Sequence, residues 1–505
     1  MKKIALLLML PALLLSACGG DKQSSDSQII ENFYTNFLKL TEIPRPSHHE
    51  ERISNFLKLW AQGKGYEVIQ DENWNLAIDV PSTKGYENLP ITALQVHMDM
   101  VAVGSDSSFD PLNDPIKPIR DDEKGTVRAD GTSLGADDGA GVATIMTYLE
   151  SGQNHGPLRV FVTTNEEDGM SGANSMNPAL FKDLTYLINI DAEESTSMCV
   201  STASAIDIFA HKDLTYVSNN KNAAVKINLS GLKGGHSGMD IDKNRCNAIM
   251  ELGYFMNELV RINCNFDIVS FEGGEFANSI AKNASLVLAI DSGNLDDIET
   301  LKDKYLVGLQ HQYEGSEDSI SLTAESIDVP TKVMSQDDED DLIRFFPNIH
   351  NGIYTMSKDM ETLVESSCNL GKINLSETSG EMGFLLRSSS QEKEDELLDH
   401  QEDVLEMCDF TFEIEKGTKA WPYNPNNKLI NIASEVYKKQ NNSELEIIAV
   451  HAGLECGTFA TYNPNLQMCA IGPDIVDVHS VNEVLYLNSV PKVYKLLSEM
   501  LLKVN

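Results

Sequence analysis

The sequence has few positive charges for its size. Its 505 residues include 39 Lys and Arg against 77 Asp and Glu, so the formal net charge is −38 at pH 7. No basic cluster stands out, and we therefore expect no nucleic-acid partner and no attraction to an anionic lipid surface. The acid surplus is most simply explained as a solubilising surface.

Cysteine is scarce and irregularly spaced. Apart from Cys18, the cysteines lie at positions 199, 246, 264, 368, 408, 456 and 469, and none forms a Cys-x-x-Cys pair. This pattern argues against a thiolate zinc site and against a disulfide framework. Phosphate-binding loops and dinucleotide fingerprints are also lacking, and residues 169–173 and 235–239 each fall short of a Gly-x-Ser-x-Gly nucleophile elbow.

The N-terminal apolar run, residues 4–15, is too short for a membrane span. It follows a basic start and precedes Leu15-Ser16-Ala17-Cys18, which resembles the bacterial lipobox. We therefore expect a lipoprotein signal peptide over 1–17, lipidation of Cys18 and a flexible tether over 18–28. This predicts an exported bacterial lipoprotein, anchored to the membrane on the periplasmic or cell-surface side. A plain signal peptide with a chance cysteine is the alternative.

Beyond the tether, strand patterns alternate with helical patterns. Short apolar runs at 76–80, 91–96, 158–163 and 186–190 predict buried strands, and 140–149 has helical spacing. This alternation favours an α/β fold in which helices flank a central mixed sheet. After residue 205 the pattern is that of an α+β unit, and after Pro425 it returns to α/β. We expect an α/β domain made of 29–204 and 418–505, interrupted by an α+β domain over 205–417.

Acids and histidines are concentrated in five segments at predicted strand ends and turns. Because sites in open α/β sheets form beyond the carboxyl ends of strands, these segments are expected to converge. In chain order they are Gln95–Asp99, Leu134–Gly141, Thr164–Gly169, Asn189–Glu193 and Val476–Ser480.

The composition of these segments suits a site for two metal ions. Zinc binds imidazole nitrogen and carboxylate oxygen, and two neighbouring ions need a shared carboxylate plus outer ligands for each. Two histidines and three carboxylates meet that count, and one further carboxylate is needed off the metals as a general base. Glu166 and Glu167 can divide those roles, although adjacent acids then require an irregular backbone. Asp99 can orient the imidazole of His97.

Together these segments resemble a known family. His-x-Asp, Leu-Gly-Ala-Asp-Asp-Gly, Asn-Glu-Glu and a late histidine, in that order, are similar to the co-catalytic two-zinc peptidases related to carnosinase, aminoacylase and bacterial tripeptidase. Further matches are Ser230–Met239 with its Gly234–Gly238 turn, Glu275–Asn278 and His451–Gly457. The resemblance covers roughly residues 28–505, and it implies a zinc-peptidase-like catalytic domain, with 205–417 as a lid.

The resemblance also implies roles for residues of the metal site. His97 and Asp191 would hold one zinc ion, Glu167 and His479 the other, and Asp137 would bridge the two.

Around that site, Glu166 would be the general base and Asp99 the support of His97. The peptide between Asp137 and Asp138 is expected to be cis.

Substrate contacts would come mainly from the lid. The resemblance implies that His236 polarises the scissile carbonyl or stabilises its oxyanion. It also implies that Asn278 and Arg387 contact the substrate carboxylate or backbone, and that Glu455 lies near the substrate amine.

The function implied is metal-dependent hydrolysis of dipeptides by a zinc-activated water. Two alternatives stay open: an aminoacylase or carboxypeptidase of the same fold, and a peptide-binding lipoprotein without catalysis. Such mixed ligands also accept manganese or cobalt in place of zinc. The expected partners are a dipeptide and a lipid anchor, and the sequence leaves a homodimer open.

Overall fold

The computed structural model describes residues 25–360, 363–376 and 379–504. Within them the helices are α1 Asp26–Thr41, α2 Glu51–Gly63, α3 Ala136–Glu150, α4 Ser171–Ser175, α5 Ala248–Arg261, α6 Leu295–Gln312, α7 Gln336–Phe345, α8 Gln391–Met407, α9 Lys428–Asn441, α10 Cys456–Tyr462 and α11 Val490–Lys503. The expected signal peptide and the lipidation at Cys18 fall outside the described residues. In the part of the chain that is described, no helix is both long and apolar enough to cross a bilayer.

The strands fall into two large sheets and three small ones. In chain order they are β1 Glu67–Gln70, β2 Leu76–Val80, β3 Thr92–His97, β4 Pro118–Asp121, β5 Thr126–Ala129, β6 Leu158–Thr163, β7 Tyr186–Asn189, β8 Ser197–Thr202, β9 Ile206–Lys212, β10 Tyr216–Ser218, β11 Ala223–Ser230, β12 Gly235–His236, β13 Phe266–Gly274, β14 Ser279–Ile280, β15 Ala284–Ile290, β16 Ser321–Ser326, β17 Lys332–Met334, β18 Gly352–Met356, β19 Val364–Ser376, β20 Ser379–Ser388, β21 Thr411–Lys416, β22 Glu446–Val450, β23 Gln467–Ala470, β24 Ile475–Val476 and β25 Val484–Tyr486.

The eight-stranded sheet has the order β1-β2-β6-β3-β7-β23-β8-β22. Strand β3 lies at its centre, parallel to β6 on one side and to β7 on the other. Strands β7 and β23 are also parallel, as are β8 and β22, whereas β2 is antiparallel to β6. The predicted α/β class with a mixed central sheet is therefore confirmed, and this sheet draws strands from both ends of the chain.

Helices cover this sheet because their apolar residues recur at helical spacing. In α1, the buried residues Ile29, Phe33, Phe37 and Leu40 form one stripe, and the hydroxyl of Ser25 caps the first turn by accepting from the amide of Gln28. Such a stripe packs against an apolar core while the opposite face stays in water. Helices α3, α9 and α11 contribute to the same core.

The nine-stranded sheet lies entirely between residues 206 and 416. Its order is β16-β11-β15-β13-β19-β20-β9-β21, with β18 paired to β19. All the pairs are antiparallel, and helices α5 to α8 bury their apolar stripes against one face. On the opposite face, alternate residues of β20, including Leu385 and Arg387, lie away from that core.

Candidate metal centre

Three neighbouring strands of the eight-stranded sheet deliver acids and a histidine to one edge. His97 is the last residue of β3, Asp191 follows β7, and Glu166 and Glu167 follow β6. These strands are parallel, so their carboxyl ends meet. The backbone after β6 is irregular, as two adjacent functional acids require: Asn165 has a positive φ of 51°.

Two further residues reach the same edge from elsewhere in the chain. Asp137 comes from the start of α3, and His479 from the loop after β24. His97 Nε2 lies 3.1 Å from Asp137 Oδ1 and 3.5 Å from Asp191 Oδ1. His479 Nε2 lies 3.1 Å from Asp137 Oδ2 and 2.7 Å from Glu167 Oε2. We call His97, Asp137, Glu167, Asp191 and His479 the acid–histidine cluster. One oxygen of Asp137 faces each histidine.

The donor atoms of this cluster fit metal ions. Imidazole nitrogens and carboxylate oxygens are the ligands that zinc and similar divalent ions take. One ligand atom each from His97, Asp137 and Glu167 lies within 4.8 Å of the others. Oε1 of Glu167 is buried and has no hydrogen-bond partner among the described residues. A buried carboxylate oxygen without a donor is costly, and a cation would satisfy it.

Asp138 also lies within 4.8 Å of His97 and Asp191, which makes it a rival ligand to Asp137. Its two oxygens, however, accept hydrogen bonds from the backbone amides of His97 at 3.2 Å and Gly141 at 3.0 Å. Asp138 is therefore engaged in holding the backbone, whereas Asp137 faces both histidines. The peptide between Asp137 and Asp138 is cis, as the family resemblance implies.

The pKa shifts around the cluster show that its carboxylates are stabilised by added positive charge. Hydrogen bonds that its imidazole donates to Asp137 and Glu167 raise the pKa of His479 to about 11. Burial raises the pKa of Glu166 well above its ordinary value, and the neighbouring carboxylates Asp191 and Glu455 add to that effect. Without a cation His479 and Glu166 thus hold their protons, and a bound cation would favour the neutral imidazole and the charged carboxylate.

Asp99 lies beneath the cluster and orders two of its segments. Its Oδ1 is 3.4 Å from Nδ1 of His97 and accepts from the amide of Glu166 at 3.1 Å. Its Oδ2 accepts from the hydroxyl of Ser47 at 2.8 Å and from the amide of Glu167 at 3.3 Å. One buried carboxylate therefore fixes the imidazole of His97 and the loop of the paired glutamates.

Two charged residues that the sequence analysis did not single out hold the loop of Asp137. The carboxylate of Glu483 accepts from four consecutive amides, those of residues 134–137, at 2.7 to 3.2 Å. The guanidinium of Arg45 donates to the carbonyls of Met98, Asp99 and Gly135. Both residues bind backbone groups far away in sequence, so little in the local sequence indicates their roles. Glu483 lies four residues after His479, and Arg45 lies in a Pro-rich stretch.

Behind the cluster, Glu455 lies in a buried polar network. Its Oε2 accepts from the side-chain amide of Gln95 and from the hydroxyl of Thr163. Gln95 in turn accepts from Asn189, whose Oδ1 accepts from the amide of Asp191 at 3.1 Å. Burial raises the pKa of Glu455 to about 8, and its Oε1 has no partner in the described chain.

The residues expected from the inserted unit form a second group. The Nδ1 of His236 accepts from the amides of Gly238 and Met239, so Nε2 carries the ring hydrogen. A side chain built on Gly238 would come within 3.2 Å of both Arg387 Nε and His236 Cε1, which places these two groups side by side. Burial and then Arg387 lower the pKa of His236. Asn278 reaches this group through its backbone: its carbonyl accepts from the amide of Ser237, next to His236, and the residue is exposed.

The fold and the acid–histidine cluster together define a metallopeptidase. The chain belongs to the peptidase family M20/M25/M40, whose family model matches residues 93–503. This confirms the family resemblance and the prediction of a metal-binding hydrolase.

Individual relatives sharpen this placement. The chain is 31% identical to the cytosol non-specific dipeptidase of Escherichia coli K12, over 92% of this chain and 96% of that one. It is similar to the crystal structure of aminoacylhistidine dipeptidase from Vibrio alginolyticus, with a TM-score of 0.88 and 30% identity over 94% and 96% of the two chains. A tripeptidase from Staphylococcus aureus, at 18% identity, 94% and 97% coverage and a TM-score of 0.54, shares the fold.

The comparisons overturn the expected localisation. The Escherichia coli relative, which matches nearly the whole chain, is named as a cytosolic enzyme. The expectation of an exported, membrane-anchored lipoprotein is therefore wrong. A short apolar run before a cysteine matched the lipobox pattern, and a pattern of four residues is weak evidence against a match of 469 residues.

Proposed function

We propose that this protein hydrolyses dipeptides with two zinc ions held by the acid–histidine cluster. The observation that carries the proposal is the position of Asp137, whose two oxygens each lie 3.1 Å from a different histidine. That geometry suits one bridging carboxylate between two ions. His97 and Asp191 would bind one ion, and Glu167 and His479 the other. Manganese or cobalt would suit the same ligands.

Bound zinc would supply Lewis acidity, which lowers the pKa of a water towards about 7 and polarises a carbonyl. Glu166 is the general base that takes the proton of the attacking water and returns it to the leaving amine. Its surroundings support this role, since burial and nearby acids raise its pKa well above the ordinary value. Asp99 holds His97 and the amide of Glu166 in place.

The inserted unit, residues 205–417, is proposed to act as a lid over a catalytic domain formed by residues 29–204 and 418–505. His236 has Nε2–H available as a donor, because Nδ1 accepts from two amides. It would stabilise the oxyanion of the tetrahedral intermediate. Arg387 is buried, carries no hydrogen bond or ion pair among the described residues, and would bind the substrate carboxylate with Asn278.

Glu455 is proposed to lie beside the substrate amine. A carboxylate with one oxygen buried and unpaired suits an ammonium group. The names of the relatives favour dipeptides over acylated amino acids or longer peptides. The chain retains Glu166 and the full ligand set, which speaks against a silent binding protein.

The test is hydrolysis of a dipeptide panel, including beta-alanyl-histidine and ordinary alpha-dipeptides, with metal removed and returned. Hydrolysis that stops on chelation and returns with zinc supports the proposal. Glu166→Ala should keep both metals by elemental analysis yet lose most turnover, since general-base catalysis contributes about 10²- to 10⁴-fold. Near wild-type turnover in that variant would remove Glu166 from the role.

A further inference from the structure

The acid–histidine cluster and the group of His236 and Arg387 are joined by one short segment of chain. Residues 451–455, here called the bridging segment, run from His451 to Glu455. Glu455 is tied to Gln95 and Thr163, which lie on the two strands that lead to the cluster. The other end, His451, belongs to the surroundings of Arg387. Because an extended chain covers at most about 3.5 Å per residue, the two ends are within about 14 Å of each other.

His451 contacts the lid with its side chain. The imidazole Nε2 lies 2.7 Å from the hydroxyl oxygen of Ser367 on β19. Ser367 is the cross-strand partner of Arg387 on β20, and directly opposed residues of an antiparallel pair project from the same face of the sheet. The imidazole therefore lies beside the guanidinium. The electrostatics agree: burial and then Arg387 lower the pKa of His451 to about 3, so its ring is neutral.

His451 also contacts the lid with its backbone. A Cβ built on Gly238 would overlap the carbonyl oxygen of His451, so the turn that carries His236 approaches this carbonyl as closely as a glycine allows. The carbonyls on either side of His451, those of Val450 and Ala452, accept from the amide of Ala203 at 3.3 and 3.1 Å. Ala203 lies where the chain first leaves the eight-stranded sheet for the lid. The bridging segment is thus fixed at the crossing between the two units.

Within the described residues no hydrogen bond or ion pair holds the guanidinium of Arg387, so its position depends on the groups packed around it. Its guanidinium is buried, its Nε has no acceptor, and Asp207 is the acid that opposes the loss of its charge. Burial lowers the pKa of Arg387 to about 10, which still leaves it charged at neutral pH. A buried cation without a carboxylate partner is costly, and an incoming anion would compensate it.

We propose that His451 is a positioning residue that sets Arg387 and His236 at a fixed distance from the acid–histidine cluster. At that distance Arg387 binds the carboxylate of a substrate that has one residue beyond the scissile bond. This rests on the proposed dipeptidase function. The bridging segment ties the anion-binding group of the lid to the metal-binding edge of the sheet. The selected substrate is then a free dipeptide rather than one whose C-terminal carboxylate is blocked.

The test compares a dipeptide with its uncharged C-terminal amide, Ala-Ala and Ala-Ala-amide, on the zinc-loaded full-length protein. Ser367→Ala removes the partner of His451. It should raise the KM for Ala-Ala about fivefold, the effect of one net hydrogen bond, and leave the KM for the amide unchanged. The preference for the free carboxylate should fall by the same factor, and Ser367→Thr, which keeps the hydroxyl, should restore it.

Ser366→Ala is the matched control. Ser366 is equally buried and adjacent in sequence, but its hydroxyl bonds to that of Thr355 on β18 rather than to His451. It should leave the preference unchanged. If Ser367→Ala raises the KM for both substrates equally, His451 has no positioning role. The same conclusion follows if Ser366→Ala lowers the preference for the free carboxylate as much as Ser367→Ala does.

Zinc content and Tm are measured for every variant. If Ser367→Ala does not fold, His451→Gln gives the same comparison of substrates. A wild-type protein that hydrolyses neither substrate would overturn the proposed function, and the role of His451 would fall with it. A wild-type protein that hydrolyses dipeptides, with variants that keep its preference, would overturn the role of His451 alone.

Discussion

At the scale of single residues, the site depends on buried charges whose partners are fixed. Asp137 faces two histidines, Asp99 holds His97 and the paired glutamates, and Asp138 accepts from two backbone amides. Three acids within a short distance thus have three different tasks. Each task is set by what the carboxylate oxygens contact, because the residue type is the same.

The titration of His479 gives a prediction for metal binding. Hydrogen bonds donated to Asp137 and Glu167 raise its pKa to about 11 when no metal is bound, so the imidazole is then protonated at pH 7. A metal ligand must be a neutral imidazole, and binding must therefore release protons. The apparent zinc affinity should weaken as the pH falls from 8 to 6. Calorimetry at pH 7 in buffers of different ionisation enthalpy should count about one released proton from His479, in addition to any released by the other ligands.

A His479→Ala variant supplies the control, since it should release fewer protons on binding the remaining ion. Zinc binding by the wild-type protein without proton release would contradict the protonated state of His479.

At the scale of elements, the loop before α3 is the part that places Asp137. Gly135 begins the helix in a left-handed conformation, with a φ of 66°, and a Cβ there would collide with Arg45 and Met100. Glu483 accepts from four amides of this loop, and Arg45 donates to the carbonyl of Gly135. The backbone of the loop is therefore held by one anion and one cation.

Glu483→Gln tests this arrangement. A neutral amide accepts at one oxygen only, so at least part of the hold on the four amides is lost, and hydrogen bonds to a charged group are each worth about 1.5–3 kcal/mol. We expect zinc affinity to fall about 10- to 100-fold, because mutation of residues that hold metal ligands in place typically has an effect of that size. A competition assay with a chromophoric chelator measures it. Glu499→Gln is the control, since Lys439, at 3.4 Å, is the one polar partner of the Glu499 side chain among the described residues; equal losses would refute the role of Glu483.

The sequence predicts the helices and strands better than it predicts the residues that hold the loops of the site in place. Strands at 76–80 and 158–163 match their predicted bounds because each is a continuous apolar run. The strand over 364–376 was not predicted, since its Ser, Cys and Asn residues obscure the alternation. Helix α3 begins four residues before its apolar pattern, where Asp137 and Asp138 have non-helical backbone angles.

The candidate ligands could be found from the sequence because each follows an apolar strand or a glycine-rich turn. Arg45 and Glu483 could not, since their partners are backbone groups 53 to 349 residues away. Such contacts exist only once the chain is folded, and no local pattern indicates them.

At the scale of the whole molecule, the chain builds separate hydrophobic cores. The buried residues of the largest core around the eight-stranded sheet lie between Ile29 and Val504, with none between 201 and 428, although the partly buried Met360 and Tyr423 pack against it. The core of the nine-stranded sheet takes residues from Ile206 to Phe410 alone. The acid–histidine cluster lies wholly outside the second core. A ligand stabilises the folded unit that binds it. Metal should therefore stabilise the unit around the eight-stranded sheet and not the unit around the nine-stranded sheet.

Differential scanning calorimetry can separate the two. We expect two unfolding transitions, because units with their own cores often unfold independently. Zinc at about 1,000 times its Kd adds about 4 kcal/mol to the unit that binds it. For a unit of this size that raises Tm by about 10 °C. Chelation should therefore lower one transition by about that amount, leave the other in place, and be reversed by added zinc. A single transition, or two that move together, would mean that the lid and the metal-binding unit unfold as one and that contacts such as His451–Ser367 couple their stabilities.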